Sequence, residues 1–185
     1  MAVANASELA QIDKSKTAGI GGNFQLMPKF MFGFKGDVNG NLHFLDHDTV
    51  IYPVGHNIAF YRIDDRTQRF IPGIEGSEGI TAMALSHSKK WLAVCEKGPK
   101  AICTVYNVGR LLEAIKEVSR GKKSSTVTYD QQAIKTKRIL TSLELNATEF
   151  VAVDFCRSEE KKQIVTVTAT EVLLWNWDKQ KCLGS

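Results

Sequence analysis

Val172-Leu173-Leu174-Trp175-Asn176-Trp177 indicates the fold, because two other stretches of the chain repeat its pattern. Each stretch is a short apolar run that ends in an aromatic residue, a polar residue and then an apolar residue. The other two are Ile58-Ala59-Phe60-Tyr61-Arg62-Ile63 and Thr104-Val105-Tyr106-Asn107-Val108. One strand-like pattern that recurs along a chain is typical of a repeat architecture.

Short β-rich runs fill the chain from Phe30 onward, and Gly, Asn, Asp, Ser and Lys separate them. Many short strands with turn residues between them predict an all-β sandwich, barrel or propeller. The predicted strands are Leu42–Leu45, Val50–Val54, Ile58–Ile63, Ile80–Leu85, Leu92–Cys95, Ile102–Val108, Ile139–Leu143, Phe150–Phe155, Gln163–Val167 and Val172–Trp177.

The order of these strands resembles the WD-repeat pattern, in which strand a, a polar turn, strand b and strand c end in Trp-Asp. Tyr61 and Tyr106 lie 45 residues apart, which fits the roughly 40–45 residues of a WD blade. Tyr106 and Trp175 lie 69 residues apart, and the excess predicts an insertion. The pattern therefore favours WD40-type β-propeller blades, with a β-sandwich of the same strands as the alternative.

The positions that correspond to the Trp-Asp pair are Tyr61-Arg62, Tyr106-Asn107 and Trp175-Asn176, which we call the WD slots. Trp177-Asp178 carries the signature letters but falls outside this register. The aspartate is absent from all three slots, and in many WD blades it joins a hydrogen-bonded chain with His, Ser or Thr, and Trp. We therefore expect apolar packing to hold these blades together.

The predicted organisation is a flexible N-terminal arm at residues 1–28 and a partial propeller at residues 29–185. Its blade-like units cover about 29–75, 76–145 and 146–185, and the second unit carries the insertion at 109–138. Two to three blades form an incomplete ring, because propellers typically close with four to eight. We expect further blades or a partner chain to complete it.

The insertion concentrates positive charge, with eight basic and three acidic residues between positions 110 and 138. Its first part has helical spacing. It is a candidate patch for an acidic surface such as the tubulin tails, and a solvated loop is the alternative. The basic residues are Arg110, Lys116, Arg120, Lys122, Lys123, Lys135, Lys137 and Arg138.

Composition excludes several other classes of protein. A net charge of +4 is too small to predict nucleic-acid binding. No apolar run approaches the roughly 18–20 residues of a membrane span, and no secretory signal is present, so we expect the cytoplasmic side of the cell. The cysteines form no CxxC pair and fit free thiols in a reducing compartment better than a zinc site; they are Cys95, Cys103, Cys156 and Cys182.

The His43–Asp48 stretch is the densest polar cluster. On a helix, His43 and His47 would share a face as metal ligands do, but flanking strands make it a hairpin turn that directs these side chains apart. The chain contains no phosphate-binding or GxSxG motif. We predict no enzyme activity and no catalytic, cofactor or metal residues, and a hydrolase or metal enzyme built on this cluster is the remaining alternative.

Five stretches between residues 30 and 108 share their order and spacing with a known family. They are Phe32–Phe34, Asn41–Asp46, Val50–Asn57, Arg66–Gly73 and Lys90–Val94. In these stretches the chain resembles the N-terminus of the cilia- and flagella-associated protein 57 family, whose members are WD-repeat proteins of the axoneme. A weaker match at Leu173–Lys181 extends the resemblance to the chain end.

This resemblance implies a scaffold in the cilium or flagellum that lies on doublet microtubules and helps assemble or position inner dynein arms. Its implied partners are axonemal proteins, including tubulin and inner dynein arm subunits. A general WD-repeat adaptor in a cytosolic or microtubule-associated complex is the alternative function. The family members also carry further blades and long coiled coils, so autonomous dimerisation is not implied for these 185 residues.

Overall fold

The computed structural model describes residues 29–110, 138–141 and 146–184. Twelve β-strands in these ranges form three antiparallel sheets of four strands. In each sheet, strands that follow one another in sequence are hydrogen-bonded neighbours. We call the sheets the first, second and third blade. The first contains β1 (His43–Phe44), β2 (Thr49–Val54), β3 (Asn57–Arg62) and β4 (Thr67–Pro72); the second contains β5 (Gly79–Leu85), β6 (Trp91–Lys97), β7 (Ile102–Asn107) and β8 (Arg138–Leu140); the third contains β9 (Ala152–Phe155), β10 (Gln163–Val167), β11 (Val172–Asn176) and β12 (Lys181–Gly184).

The first strands of neighbouring blades lie side by side. Asn39, just before β1, forms a parallel bridge with Ala82 of β5, and β5 packs against β9. Gly40 permits the segment before β1 to lie close to β5, because its φ is +64° and a Cβ there would overlap the Met83 carbonyl. This arrangement matches a propeller, in which first strands surround the central axis.

Each blade has two faces, because successive side chains of a strand point to opposite sides. The front face carries the WD-slot aromatic residue, and the back face is the other one. The back of the first blade packs against the front of the second, and the back of the second packs against the front of the third. The same sides therefore meet at both junctions.

Apolar packing dominates both junctions. Each buries a cluster of twelve residues, and burying one large aliphatic or aromatic side chain contributes about 1.5–3 kcal/mol. A neutral hydrogen bond contributes about 1 kcal/mol net. The clusters therefore outweigh any single polar contact between the blades.

Two strands were missed in the sequence. β4 begins with Thr67, Gln68 and Arg69 and ends at Pro72, so it has no apolar alternation, and Pro is confined to edge or terminal positions of strands. β12 has only Cys182 and Leu183 as apolar residues and lies at an edge. The expected arm at 1–28 and most of the expected insertion lie outside the described residues.

Candidate functional site

The WD slots occupy the same place in all three blades, at the end of the third strand. Tyr61 lies opposite Val50, Tyr106 opposite Leu92, and Trp175 opposite Ile164. Tyr106 and Trp175 are buried against the back of the preceding blade. Tyr61 is half-buried on the front of the first blade.

The third blade keeps part of the hydrogen-bonded chain that is typical of WD blades. The indole Nε1 of Trp175 donates to Thr166 Oγ1 at 2.8 Å, and both residues are buried. The matching position in the second blade is Val94, whose side chain accepts no hydrogen bond. Thr166 was missed in the sequence analysis, although a single Thr between two valines of an apolar strand was the available signal.

A buried carboxylate links the first and second blades. Glu96 on the front of β6 is 1% exposed, and its two oxygens accept the Ile74 N–H at 3.0 and 3.2 Å. His56 Nε2 lies 3.4 Å from one of these oxygens and 2.5 Å from Ser77 Oγ. The same ring nitrogen of His56 faces both Glu96 and Ser77. In a catalytic triad each ring nitrogen of the histidine has its own partner, so these three side chains do not form one.

Side-chain hydrogen bonds also link the second and third blades. Thr81 Oγ1 donates to the Phe150 carbonyl at 2.7 Å near the first strands. In the turn between β5 and β6, the Ser88 N–H and hydroxyl both donate to the Glu159 carboxylate, at 2.8 and 2.7 Å. These polar groups hold neighbouring blades in register.

The predicted basic patch falls mainly outside the described residues. Arg110 and Arg138 mark its two ends, since the chain leaves β7 at Asn107 and returns to the same blade at Arg138. Arg110 is exposed, and its backbone N–H donates to Asn107 Oδ1 at 3.3 Å. The insertion therefore connects β7 to β8 at one end of the second blade.

The His43–Asp48 stretch forms the predicted strand and turn. His43 lies in β1, while Asp46, His47 and Asp48 fall in the turn before β2. The Asp48 N–H donates to Asp46 Oδ1 at 3.1 Å, and His47 Nε2 lies 2.8 Å from Asp48 Oδ2. Burial lowers the pKa of His43 below its ordinary value of 6.5.

Within the described residues, no three His, Cys, Asp or Glu side chains are placed to bind a metal ion together. All four cysteines are free thiols, and Cys95 and Cys103 face each other across β6 and β7 in the core. Burial raises the pKa of the Cys95 thiol well above its ordinary value. None of the helical segments described could serve as a transmembrane span.

A shallow groove of about 420 Å³ opens beside the starts of the first strands. Its lysines are paired with neighbouring carboxylates, Lys35 with Asp37 at 2.9 Å and Lys97 with Glu149 at 3.9 Å. The Lys35 ammonium also donates to the Ile80 carbonyl at 2.9 Å. Both lysines of the groove are thus already engaged with carboxylates.

Three four-stranded antiparallel blades, packed front to back around adjacent first strands, define a β-propeller fold. The solved structures that the chain resembles in fold are WD40 propellers. One chain of a crystal structure of the mitotic checkpoint complex superposes with a TM-score of 0.54 and 10% sequence identity, over 85% of this chain and 39% of that chain. The predicted fold class is confirmed.

The curated relatives include three ciliary proteins. Mouse cilia- and flagella-associated protein 57 is 26% identical over 83% of this chain. Proteins 57 C and 57 A of Tetrahymena thermophila are 28% and 29% identical over 91% and 83% of it. The predicted resemblance is confirmed, and the matched regions span 11–14% of the relatives' lengths. No protein-family model matches the chain.

Proposed function

We propose that the chain is a non-catalytic scaffold of the ciliary or flagellar axoneme, where it lies on doublet microtubules and helps assemble or position inner dynein arms. The observation that carries this proposal is the similarity to three cilia- and flagella-associated proteins along 83–91% of the chain. A propeller supports such a role because its rigid blades present loops and faces at fixed positions.

The polar groups of the blades support a structural role. Glu96 accepts the backbone N–H of Ile74 in the segment that joins the first and second blades, and Glu159 accepts the backbone N–H of Ser88 in the turn between β5 and β6. Trp175 and Thr166 form a hydrogen bond with each other within one blade. These side chains act on blade packing, so the surfaces and loops are left for recognition.

The insertion between β7 and β8 is the surface that we propose for an acidic partner. Eight basic residues against three acidic ones give it a charge of +5, more than the +4 of the whole chain. Clustered charge of one sign attracts a surface of the opposite sign, and salt weakens this attraction. The acidic tails of tubulin are such a surface.

Co-sedimentation with microtubules tests this contact. The 185-residue chain should pellet with intact microtubules, and much less with microtubules whose acidic tails have been removed by protease. Raising the salt concentration should weaken the binding. Absence of binding to both preparations would show that direct tubulin contact is wrong.

A pair of charge-reversal variants then separates the insertion from the rest of the surface. Lys122→Glu with Lys123→Glu should lower microtubule affinity by about tenfold, the effect of roughly 1.4 kcal/mol. Lys179→Glu with Lys181→Glu changes the same charge at exposed residues of the third blade and should leave affinity within about twofold. Equal loss in both variants would contradict the assignment to the insertion.

A further inference from the structure

Two turns of neighbouring blades lie against each other at one end of the strands. Residues 86–90 join β5 to β6, and residues 156–162 join β9 to β10. Ser88 in the first turn donates two hydrogen bonds to Glu159 in the second, at 2.8 and 2.7 Å. The two turns therefore form one continuous surface across the junction of the second and third blades.

Exposed basic side chains are concentrated on this surface. Each turn contributes two of them, and a fifth follows β7. Arg110 lies beside the first turn because the residue before it, Gly109, donates its N–H to the Lys90 carbonyl at 3.2 Å. We call the five exposed residues the basic ledge; they are Lys89, Lys90, Arg110, Arg157 and Lys161.

The positive charges of the basic ledge are not neutralised by nearby carboxylates. Within the described ranges, none of its five cations forms an ion pair. The two turns contain two carboxylates, and that of Glu159 is already engaged by Ser88 and by the charge of Lys162. Glu160 is the other carboxylate, so positive charge is in excess on this surface.

The opposite end of the second blade differs in this respect. Lys97 ends β6 there, and its ammonium lies 3.9 Å from the Glu149 carboxylate. Lys100, in the connection to β7, also interacts with a neighbouring group. Paired charges largely cancel each other's field, whereas a cluster of unpaired cations attracts a partner of opposite sign. The basic ledge is therefore the end of this blade that favours an anionic partner.

We propose that the basic ledge binds an extended acidic segment of a partner protein, whose Glu or Asp side chains meet the five cations in succession. The cations are spread over two turns and the start of a further connection, so they suit a chain of carboxylates better than one small anion. The two turns contain no Phe, Tyr or Trp on which the bases of a nucleic acid could stack.

This binding rests on the proposed function, because it concerns the same kind of acidic partner. The insertion leaves the second blade at Arg110, so an acidic segment drawn to the insertion reaches the basic ledge from there. Lys179 and Lys181 lie outside the ledge, where the two outer strands of the third blade connect.

Fluorescence anisotropy with a labelled decaglutamate peptide measures the binding. Lys89→Glu with Lys90→Glu changes two exposed side chains, so the fold is preserved, and affinity should fall by about tenfold. Lys97→Glu with Lys100→Glu makes the same change of charge at the opposite end of the blade and should leave affinity within about twofold. An unchanged affinity in the ledge variant, or an equal loss in both variants, would overturn the proposal.

Nuclear magnetic resonance of the ¹⁵N-labelled chain locates the contact and tests the class of partner. Decaglutamate should shift the amide signals of Lys89, Lys90 and Lys161 at lower concentrations than those of Lys97 and Lys100. The reverse order would place the contact at the wrong end of the blade and refute the proposal. Duplex DNA that displaces the peptide at equal charge concentration would show that the partner is a nucleic acid instead.

Failure of the basic ledge and failure of the tubulin contact give different results. If the Lys89→Glu and Lys90→Glu variant keeps full affinity for both decaglutamate and microtubules, the ledge proposal is wrong and the role of the insertion is unaffected. If the unmodified chain binds no microtubules but the ledge variant still loses decaglutamate, the tubulin contact is wrong and the ledge remains an acidic-peptide site.

Discussion

Trp175 donates its indole N–H to the hydroxyl of Thr166 at 2.8 Å, across two strands of the third blade and out of contact with solvent. This hydrogen bond is present although Asn176 occupies the position of the aspartate in the WD pattern. It satisfies a donor that would otherwise be buried without a partner, and such a donor costs about 1–3 kcal/mol.

Thr166→Val should therefore destabilise the chain by about 1–3 kcal/mol, because valine keeps the shape but leaves the Trp175 N–H unsatisfied. Urea unfolding at fixed protein concentration measures the change. Thr104→Val is the matched control in the second blade, since the Thr104 hydroxyl is buried without a hydrogen-bond partner. That variant should be neutral or stabilising, and an equal loss in both would contradict this role for Thr166.

Gly73→Ala should destabilise the junction of the first and second blades by about 1–3 kcal/mol, the usual cost of overpacking. A Cβ at this position would overlap the His56 ring and lie 2.7 Å from the Glu96 carboxylate. Thermal unfolding measures the change. Gly36→Ala is the control, because nothing lies within 4 Å of a Cβ there, and its stability should change by no more than about 0.5 kcal/mol.

The contact between Ser88 and Glu159 should make stability depend on pH in the acid range. Burial raises the pKa of the Glu159 carboxyl, but the hydrogen bonds from Ser88, together with Ser86 and the positive charge of Lys162, outweigh it, so the pKa lies below its ordinary value of 4.5. A lowered carboxyl pKa stabilises the fold above pH 4.5, and this contribution disappears as the pH falls through the folded-state pKa. Since Glu159 is partly exposed, the contribution is at most about 1 kcal/mol.

Glu159→Gln should remove this part of the pH dependence, as measured by urea midpoints from pH 6 down to pH 3. Glu160→Gln changes the adjacent exposed glutamate and should leave the profile as it is in the unmodified chain. A Glu159→Gln profile that matches the unmodified one would show that this contact does not stabilise the blade junction.

The sequence was informative where a strand carries regular apolar alternation. The third strand of each blade was predicted, and the three strands were aligned with one another, because the aromatic residue followed by a polar one recurs at Tyr61, Tyr106 and Trp175. Contacts between blades were not predictable, since Glu96 and Ile74 are brought together only by packing. A lone Glu after Leu92-Ala93-Val94-Cys95 was the one visible sign of a buried carboxylate.

The most direct test of the scaffold proposal is to locate the chain within an intact axoneme. Cryo-electron tomography of axonemes that carry a tagged chain should show the tag at one recurring position on the doublet microtubule, next to the bases of inner dynein arms. A tag that is absent from the doublets, or that lies on them at no fixed position, would contradict the account.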